Sequence, residues 1–289
     1  MSSTSSLGQL TRKPLGGGVI AKLFHYCHAL QFRFFQLSEL SLLRRRGISL
    51  GPRFWWAVWS NPSETEDWVN LVRFLPPGDE ILLLDIGANV GKFTAEFLSI
   101  YKNSRSVCFE PVRSTFEKLA ERFVNDQRVE LHQCGIADFD GTAEIRLEDD
   151  CTLCSLVEYR EEAKKAYAIR PESETEQIRC RRIDGFSYGK PNRRLFVKID
   201  VQGAEIEAIR GGIETLSSAD AVLLECSFAP EHLGKEPSFA LACSLLRGCG
   251  LYPIVFQEYG RTLSNYAFER DVLFVNQKLL DNIWFSKNS

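Results

Sequence analysis

From Pro62 onward, two rhythms of apolar residues alternate along the chain. Short, mostly apolar runs predict strands near 81–86, 106–110, 195–199, 221–225, 252–256 and 271–275, and a further strand is expected near 129–134. Between them, apolar residues return every third or fourth position and predict helices near 63–74, 91–102, 112–124, 204–211 and 237–248. Pro76, Pro77 and Gly78 mark a turn. Residues 139–190 are looser, with short strand-like pieces and a charged run over 158–165. Strands that are apolar throughout, alternating with helices, imply an α/β fold with a mostly parallel sheet covered by helices on both faces.

The N-terminal part is different. Residues 1–18 are rich in Ser, Thr and Gly and read as a disordered tail. Over 19–46, Ile20, Leu23, Phe24, Cys27, Leu30, Phe34 and Leu37 recur with helical spacing. Arg44, Arg45 and Arg46 suit the C-terminal end of that helix, and Gly47 suits its stop. The expected organisation is a tail over 1–18, a basic helical arm and connector over 19–61, and one catalytic domain over 62–289. The arm reads first as a helix packed on the domain. Peripheral membrane contact through 19–46 and an organelle presequence are the rival readings. Phe54, Trp55, Trp56 and Trp59 read as core or as a subunit contact, the latter implying a homo-oligomer.

Composition narrows the function. The chain has 289 residues and a formal net charge of −3. About +7 of that balance lies in residues 1–53 and about −10 in the rest, an acidic surface that argues against nucleic acid as a partner. No apolar run is long enough to span a membrane. Nine cysteines, an odd number, read as reduced thiols in a cytoplasmic protein. Cys151 and Cys154 form a Cys-x-x-Cys, but His25, His28, His132 and His232 lack the spacing that would complete a zinc site, so no metal is assigned.

The chemistry gathers at Leu84-Asp85-Ile86-Gly87-Ala88-Asn89-Val90-Gly91, an apolar strand running into a glycine turn and then a helix. Such a turn is a small-molecule cradle. A dinucleotide fingerprint would need glycine where Asn89 stands, and Asp85 before the turn would repel a pyrophosphate. An acid there suits a cationic ligand such as S-adenosylmethionine, with its sulfonium and amino groups. Glu110 closes the next strand at about the spacing of a ribose-binding carboxylate. Asp85, Glu110, Asp138, Asp200 and Glu225 fall at or just beyond predicted strand ends, where ligands of such sheets bind.

Together with Lys198-Ile199-Asp200-Val201-Gln202-Gly203-Ala204-Glu205, the glycine turn resembles the FkbM family of methyltransferases over about residues 64–276. Gly135 to Asp138, Arg182 to Asp184 and Asp271 to Val275 fit in order. The resemblance implies a class I methyltransferase (Rossmann-like) fold, a seven-stranded sheet with one antiparallel strand near the C-terminal edge. It also implies S-adenosylmethionine-dependent O-methylation of a small-molecule or glycan acceptor: a sugar, glycolipid or secondary-metabolite hydroxyl. By that resemblance Asp85, Gly87, Asn89 and Gly91 line the methionine end, Glu110 holds the ribose, and Ala137 and Asp138 border the adenine. The catalytic candidates are Asp200 as base, with Glu205 and Lys198. Asp200 could instead cap the following helix, Glu205 could favour its dipole, and Lys198 could be a structural ion-pair partner. One departure is Gln202, where the family commonly has glutamate. It supports the rival reading, a methyltransferase fold without catalysis.

Overall fold

The computed structural model describes residues 71, 74–148, 153–166, 169, 174–188, 193–229, 232–256 and 269–285. The N-terminal tail, the arm over 19–46 and Cys151 lie outside the described residues, as does most of the helix expected over 63–74. Of that helix, Leu71 and Phe74 are described, and both are helical and buried.

In chain order the elements are β1 (Ile81–Ile86), α1 (Lys92–Ile100), β2 (Arg105–Phe109), α2 (Arg113–Phe123), β3 (Val129–His132), β4 (Gly135–Ile136), β5 (Gly141–Arg146), α3 (Glu161–Ala166) and β6 (Thr175–Arg181). They continue with β7 (Arg194–Ile199), α4 (Glu205–Arg210), α5 (Ile213–Ser217), β8 (Ala221–Ser227), α6 (Ser238–Gly248), β9 (Leu251–Phe256), β10 (Glu269–Asn276) and α7 (Gln277–Phe285). The main sheet has seven strands in the order β3-β2-β1-β7-β8-β10-β9. Its strands pair in parallel except β10, which runs antiparallel to β8 and β9. This is the class I methyltransferase arrangement, and each of the seven strands falls where the sequence predicts one.

The core follows from the two-residue period of a strand. One face of the sheet presents Leu82, Leu84, Ile86, Val197, Ile199, Val222, Leu224 and Phe274, packed against Ala208, Ile209, Ala242 and Leu246 from the helices. The opposite face carries Phe196, which packs on Phe93 and Phe97 of α1. The same face carries Asp85 and Lys198, brought side by side because the parallel register of β1 and β7 makes them direct partners. Burying a charged pair within a sheet has to be offset by close contact between the two.

The looser section is more ordered than its composition suggests. It forms a second, three-stranded sheet in the order β4-β6-β5. The charged run contains α3, where Lys164 donates to Glu158 and Glu161 at 2.9 and 3.0 Å. Among the described residues, no helix is long and apolar enough to cross a membrane.

Candidate functional site

Beyond the end of β1 the backbone turns left-handed at Gly87 (φ +78°), Asn89 (+50°) and Gly91 (+77°). A Cβ on Gly87 would lie 1.8 Å from the Asp200 carbonyl oxygen, and one on Gly91 would lie 2.5 Å from the Phe123 ring. Both positions therefore exclude any side chain, and asparagine is the residue type most tolerant of the intervening left-handed position. The Gly87 and Ala88 amides donate to the Phe109 carbonyl, each at 3.0 Å, tying the turn to the end of β2.

Glu110 follows β2 and faces this turn. Its Oε2 accepts the Asn89 amide and its Oε1 the Val112 amide, both at 3.0 Å. Burial pushes its carboxyl up to about 7, against the pull of the two amides and of Lys198. Gly87, Asn89 and Glu110 line one side of a cleft enclosing about 670 Å³, part of it open to solvent. Asp200, Val201 and Gln202 line another side, while Cys134, Gly135 and Ile136 form a third. Ile145 and Ile178 from the second sheet, with Leu156 from the segment between β5 and β6, add an apolar wall.

Other predicted site residues lie behind this wall rather than in it. Asp85 is fully buried under the turn. Its Oδ2 accepts the Thr94 hydroxyl at 2.6 Å, and its Oδ1 sits 3.6 Å from Lys198 Nζ. Gly91 is packed on Phe123 and Leu119. Ala137 is buried against Gly211, Asp138 is exposed, and neither lines the cleft. From that segment the cleft takes Cys134 to Ile136 instead. Glu205 is also buried, and its Oε1 accepts the Gly203 amide at 2.8 Å at the start of α4. Burial and the nearby Asp200 raise its carboxyl to about 7, while backbone amides oppose the rise.

Lys198 is the electrostatic centre. Its Nζ reaches Asp200 Oδ2 at 3.1 Å and the Gly87 carbonyl at 3.3 Å, in addition to Asp85. Burial works against its charge, but the two carboxylates outweigh it and hold the ammonium above the ordinary lysine range. Burial likewise pushes Asp200 up, but the Lys198 charge and hydrogen bonds from Gln202, Glu225 and Lys198 overcome it, leaving the carboxyl below its ordinary range.

Gln202 stands out in the sequence as a departure within a motif, while the residues that hold it carry no signal. Gln202 adopts φ +50° and donates through Nε2 to Asp200 Oδ1 at 3.0 Å and to Glu225 Oε2 at 2.6 Å. Ser155 donates to the Gln202 carbonyl at 2.5 Å, and the Tyr159 hydroxyl donates to Gln202 Oε1 at 3.4 Å. His232 packs on the Tyr159 ring and against Gly203, its Nε2 buried with no hydrogen-bond partner among the described residues. Burial, with Lys235 nearby, pushes its imidazole down to about 4. Ser155, Tyr159 and His232 come from segments without periodicity, which leave no pattern to read.

A family model described as the methyltransferase FkbM domain matches residues 85–251, more than half of the chain. Methyltransferase 1 of Beauveria bassiana (strain ARSEF 2860) is 28% identical over 152 residues, 47% of this chain and 60% of that protein. The chain thus spans less than two thirds of that relative's length. The 2-O-methyltransferase NoeI of Sinorhizobium fredii (strain NBRC 101917 / NGR234) is 25% identical over 184 residues, 59% of this chain and 73% of that protein. Among solved structures, the methyltransferase FkbM from Methylobacillus flagellatus KT is 17% identical with a TM-score of 0.42, covering 69% of this chain and 44% of that one. The match that includes both the glycine turn and the Lys198–Glu205 stretch settles the classification: this chain belongs to the FkbM methyltransferase family.

Proposed function

We propose that this chain is an S-adenosylmethionine-dependent O-methyltransferase whose acceptor is a hydroxyl of a sugar, glycolipid or secondary metabolite. The observation that carries the proposal is one cleft with the left-handed turn at Gly87 and Asn89, the Glu110 carboxyl beside it, and the ionised Asp200 on another wall. These groups fit the cofactor. Glu110 keeps acceptor capacity for a ribose diol, since each oxygen receives one amide and a carboxylate oxygen can accept two donors. The bare backbone at Gly87 allows close approach, and Cys134 to Ile136 with Ile145 and Ile178 offer an apolar slot for a base. When bound, S-adenosylmethionine supplies a methyl group already activated by its sulfonium.

The protein then has to align the acceptor oxygen and take its proton. Alignment is worth roughly 7–11 kcal/mol and a positioned base about 10²–10⁴-fold. Asp200 suits the second task, because Lys198 holds one of its oxygens and keeps the group ionised. Lys198 and Glu205 act from behind, the first as counter-ion and the second by fixing the Gly203 turn. The hydroxyl acceptor finds support in the relative whose name specifies 2-O-methylation.

Calorimetry with S-adenosylhomocysteine tests the cofactor assignment. Binding should be lost in Glu110→Ala and kept in Asp200→Asn. A folded wild-type protein with no affinity for the ligand would refute it. Mass spectrometry of glycans and metabolites from cells with and without the protein identifies the acceptor.

A further inference from the structure

Asp200 is held more elaborately than a helix-capping acid requires. Lys198 donates to Oδ2 at 3.1 Å and Gln202 Nε2 to Oδ1 at 3.0 Å. The same Gln202 nitrogen donates to Glu225 Oε2 at 2.6 Å. A primary amide has two N–H bonds, so one nitrogen serves two carboxyl groups by pointing one hydrogen at each. The rest of Gln202 is pinned by Ser155 on its main-chain oxygen and Tyr159 on its side-chain oxygen. Its backbone is in the left-handed region that residues other than glycine seldom enter. Strain of this kind gathers where a side chain's direction matters.

Charge around Glu225 completes the picture. The Lys198 ammonium is already engaged by Asp200 and Asp85, and Glu225 meets the Gln202 amide and, through a hydrogen bond, Asp200 itself. Facing Glu225 are Asp200 just beyond β7, Glu205 from α4, and Glu269 and Asp271 from β10.

We propose that Gln202 and Glu225 are positioning residues for Asp200: Gln202 bridges the two carboxyl groups, and Glu225 holds a proton while Asp200 remains ionised. The inference rests on the reading of the cleft as a hydroxyl-methylating site. There the acceptor's O–H bond breaks, the proton is bound by Asp200, and Glu225 keeps its own proton throughout. Burial and the surrounding carboxylates, Asp200 first among them, hold the Glu225 carboxyl well above its ordinary range, consistent with this division.

The test is a carbon-13 titration of the full chain labelled at the Glu and Asp carboxyl carbons, from about pH 2 to about pH 8, so that the Asp200 midpoint lies inside the range. The resonance lost in Glu225→Gln, and confirmed by its displacement in Glu225→Asp, is expected to stay in the protonated position at neutral pH. The resonance lost in Asp200→Asn is expected to titrate below the ordinary carboxylate range and to be fully ionised at neutral pH. Gln202→Glu places a third carboxylate between the two and should raise the Asp200 midpoint by about one pH unit or more. Glu225 ionising in the ordinary carboxylate range, or an Asp200 midpoint unmoved by Gln202→Glu, overturns the proposal. Calorimetry with S-adenosylhomocysteine on the same wild-type sample separates the two readings. Absence of binding there removes the methyl-transfer reading, while the carboxyl pair is still judged by its titration.

Discussion

Glu110 offers the sharpest quantitative handle on this protein. Its carboxyl stands at about 7, raised by burial from 4.5, the value expected for the unfolded chain. The folded protein therefore binds this proton more tightly than the unfolded one. The resulting stability is fully present below about pH 4.5 and is lost as pH rises through about 7. At about 1.4 kcal/mol per pH unit, the loss attributable to Glu110 is about 3 kcal/mol. Glu205, also near 7, adds a parallel loss, so the wild-type curve alone does not isolate Glu110. Glu110→Gln does, because its side chain keeps the shape and cannot ionise. The amide has a single acceptor for the Asn89 and Val112 donors, and leaving one unpaired costs about 1–3 kcal/mol at every pH. Urea unfolding followed by circular dichroism should thus show a variant less stable than wild type at about pH 5, the gap closing by about 3 kcal/mol toward about pH 8. Ligand affinity should run the opposite way. A ribose diol donates to the ionised carboxylate, so S-adenosylhomocysteine should bind up to about tenfold more weakly for each pH unit below about 7. Parallel stability curves for the two proteins, or an affinity flat from about pH 5 to about pH 8, would refute the assignment of the buried carboxyl and its role.

Two further perturbations probe the scaffold. Gly87→Ala drives a Cβ to within 1.8 Å of the Asp200 carbonyl oxygen, at a φ of +78°; backbone strain and overpacking together should cost about 3 kcal/mol or more, a fall in Tm of roughly 10 °C, and an unchanged melting curve would contradict it. Lys198→Met leaves the fully buried Asp85 and the rim Asp200 without their cation. Breaking such a pair typically costs about 3–5 kcal/mol. Because protonating the stranded carboxylates relieves the loss, the gap to wild type in urea unfolding should narrow as pH falls, and a gap independent of pH would refute the ion-cluster account.

The fold was legible wherever burial is uniform. β1 is buried at every position and β7 and β8 nearly so, which leaves a continuous apolar run in the sequence. The second sheet left no such run, because β5 and β6 alternate exposed and buried residues and are rich in charge. α7 was not predicted either; its residues follow β10 directly, without an intervening turn signal. The glycine turn was legible because a left-handed backbone and close neighbours at Gly87 and Gly91 select against a side chain there, a constraint that acts on residue identity directly. The grip of Ser155, Tyr159 and His232 on Gln202 and Gly203 was not, since contacts between distant loops impose neither period nor spacing.

The acids placed on one rim by sequence pattern turn out to differ in kind, and the difference follows from where one lysine can reach. Parallel register puts Lys198 beside Asp85, and the next outward-facing position along the chain is Asp200. Those two carboxyls take the ammonium, one wholly buried and one at the cleft. Glu110 and Glu225 are held by N–H donors from neutral amides instead, and burial raises both carboxyls. Asp138, beyond the end of β4, is exposed and outside the cleft wall. A site that deprotonates a hydroxyl near neutral pH needs a carboxylate that is ionised and faces the ligand. Asp200 meets both conditions: Asp85 is sealed behind the turn, and Glu110 and Glu225 are biased toward the protonated form. The choice of Asp200 therefore rests on the reach of Lys198 as much as on its place at a strand end.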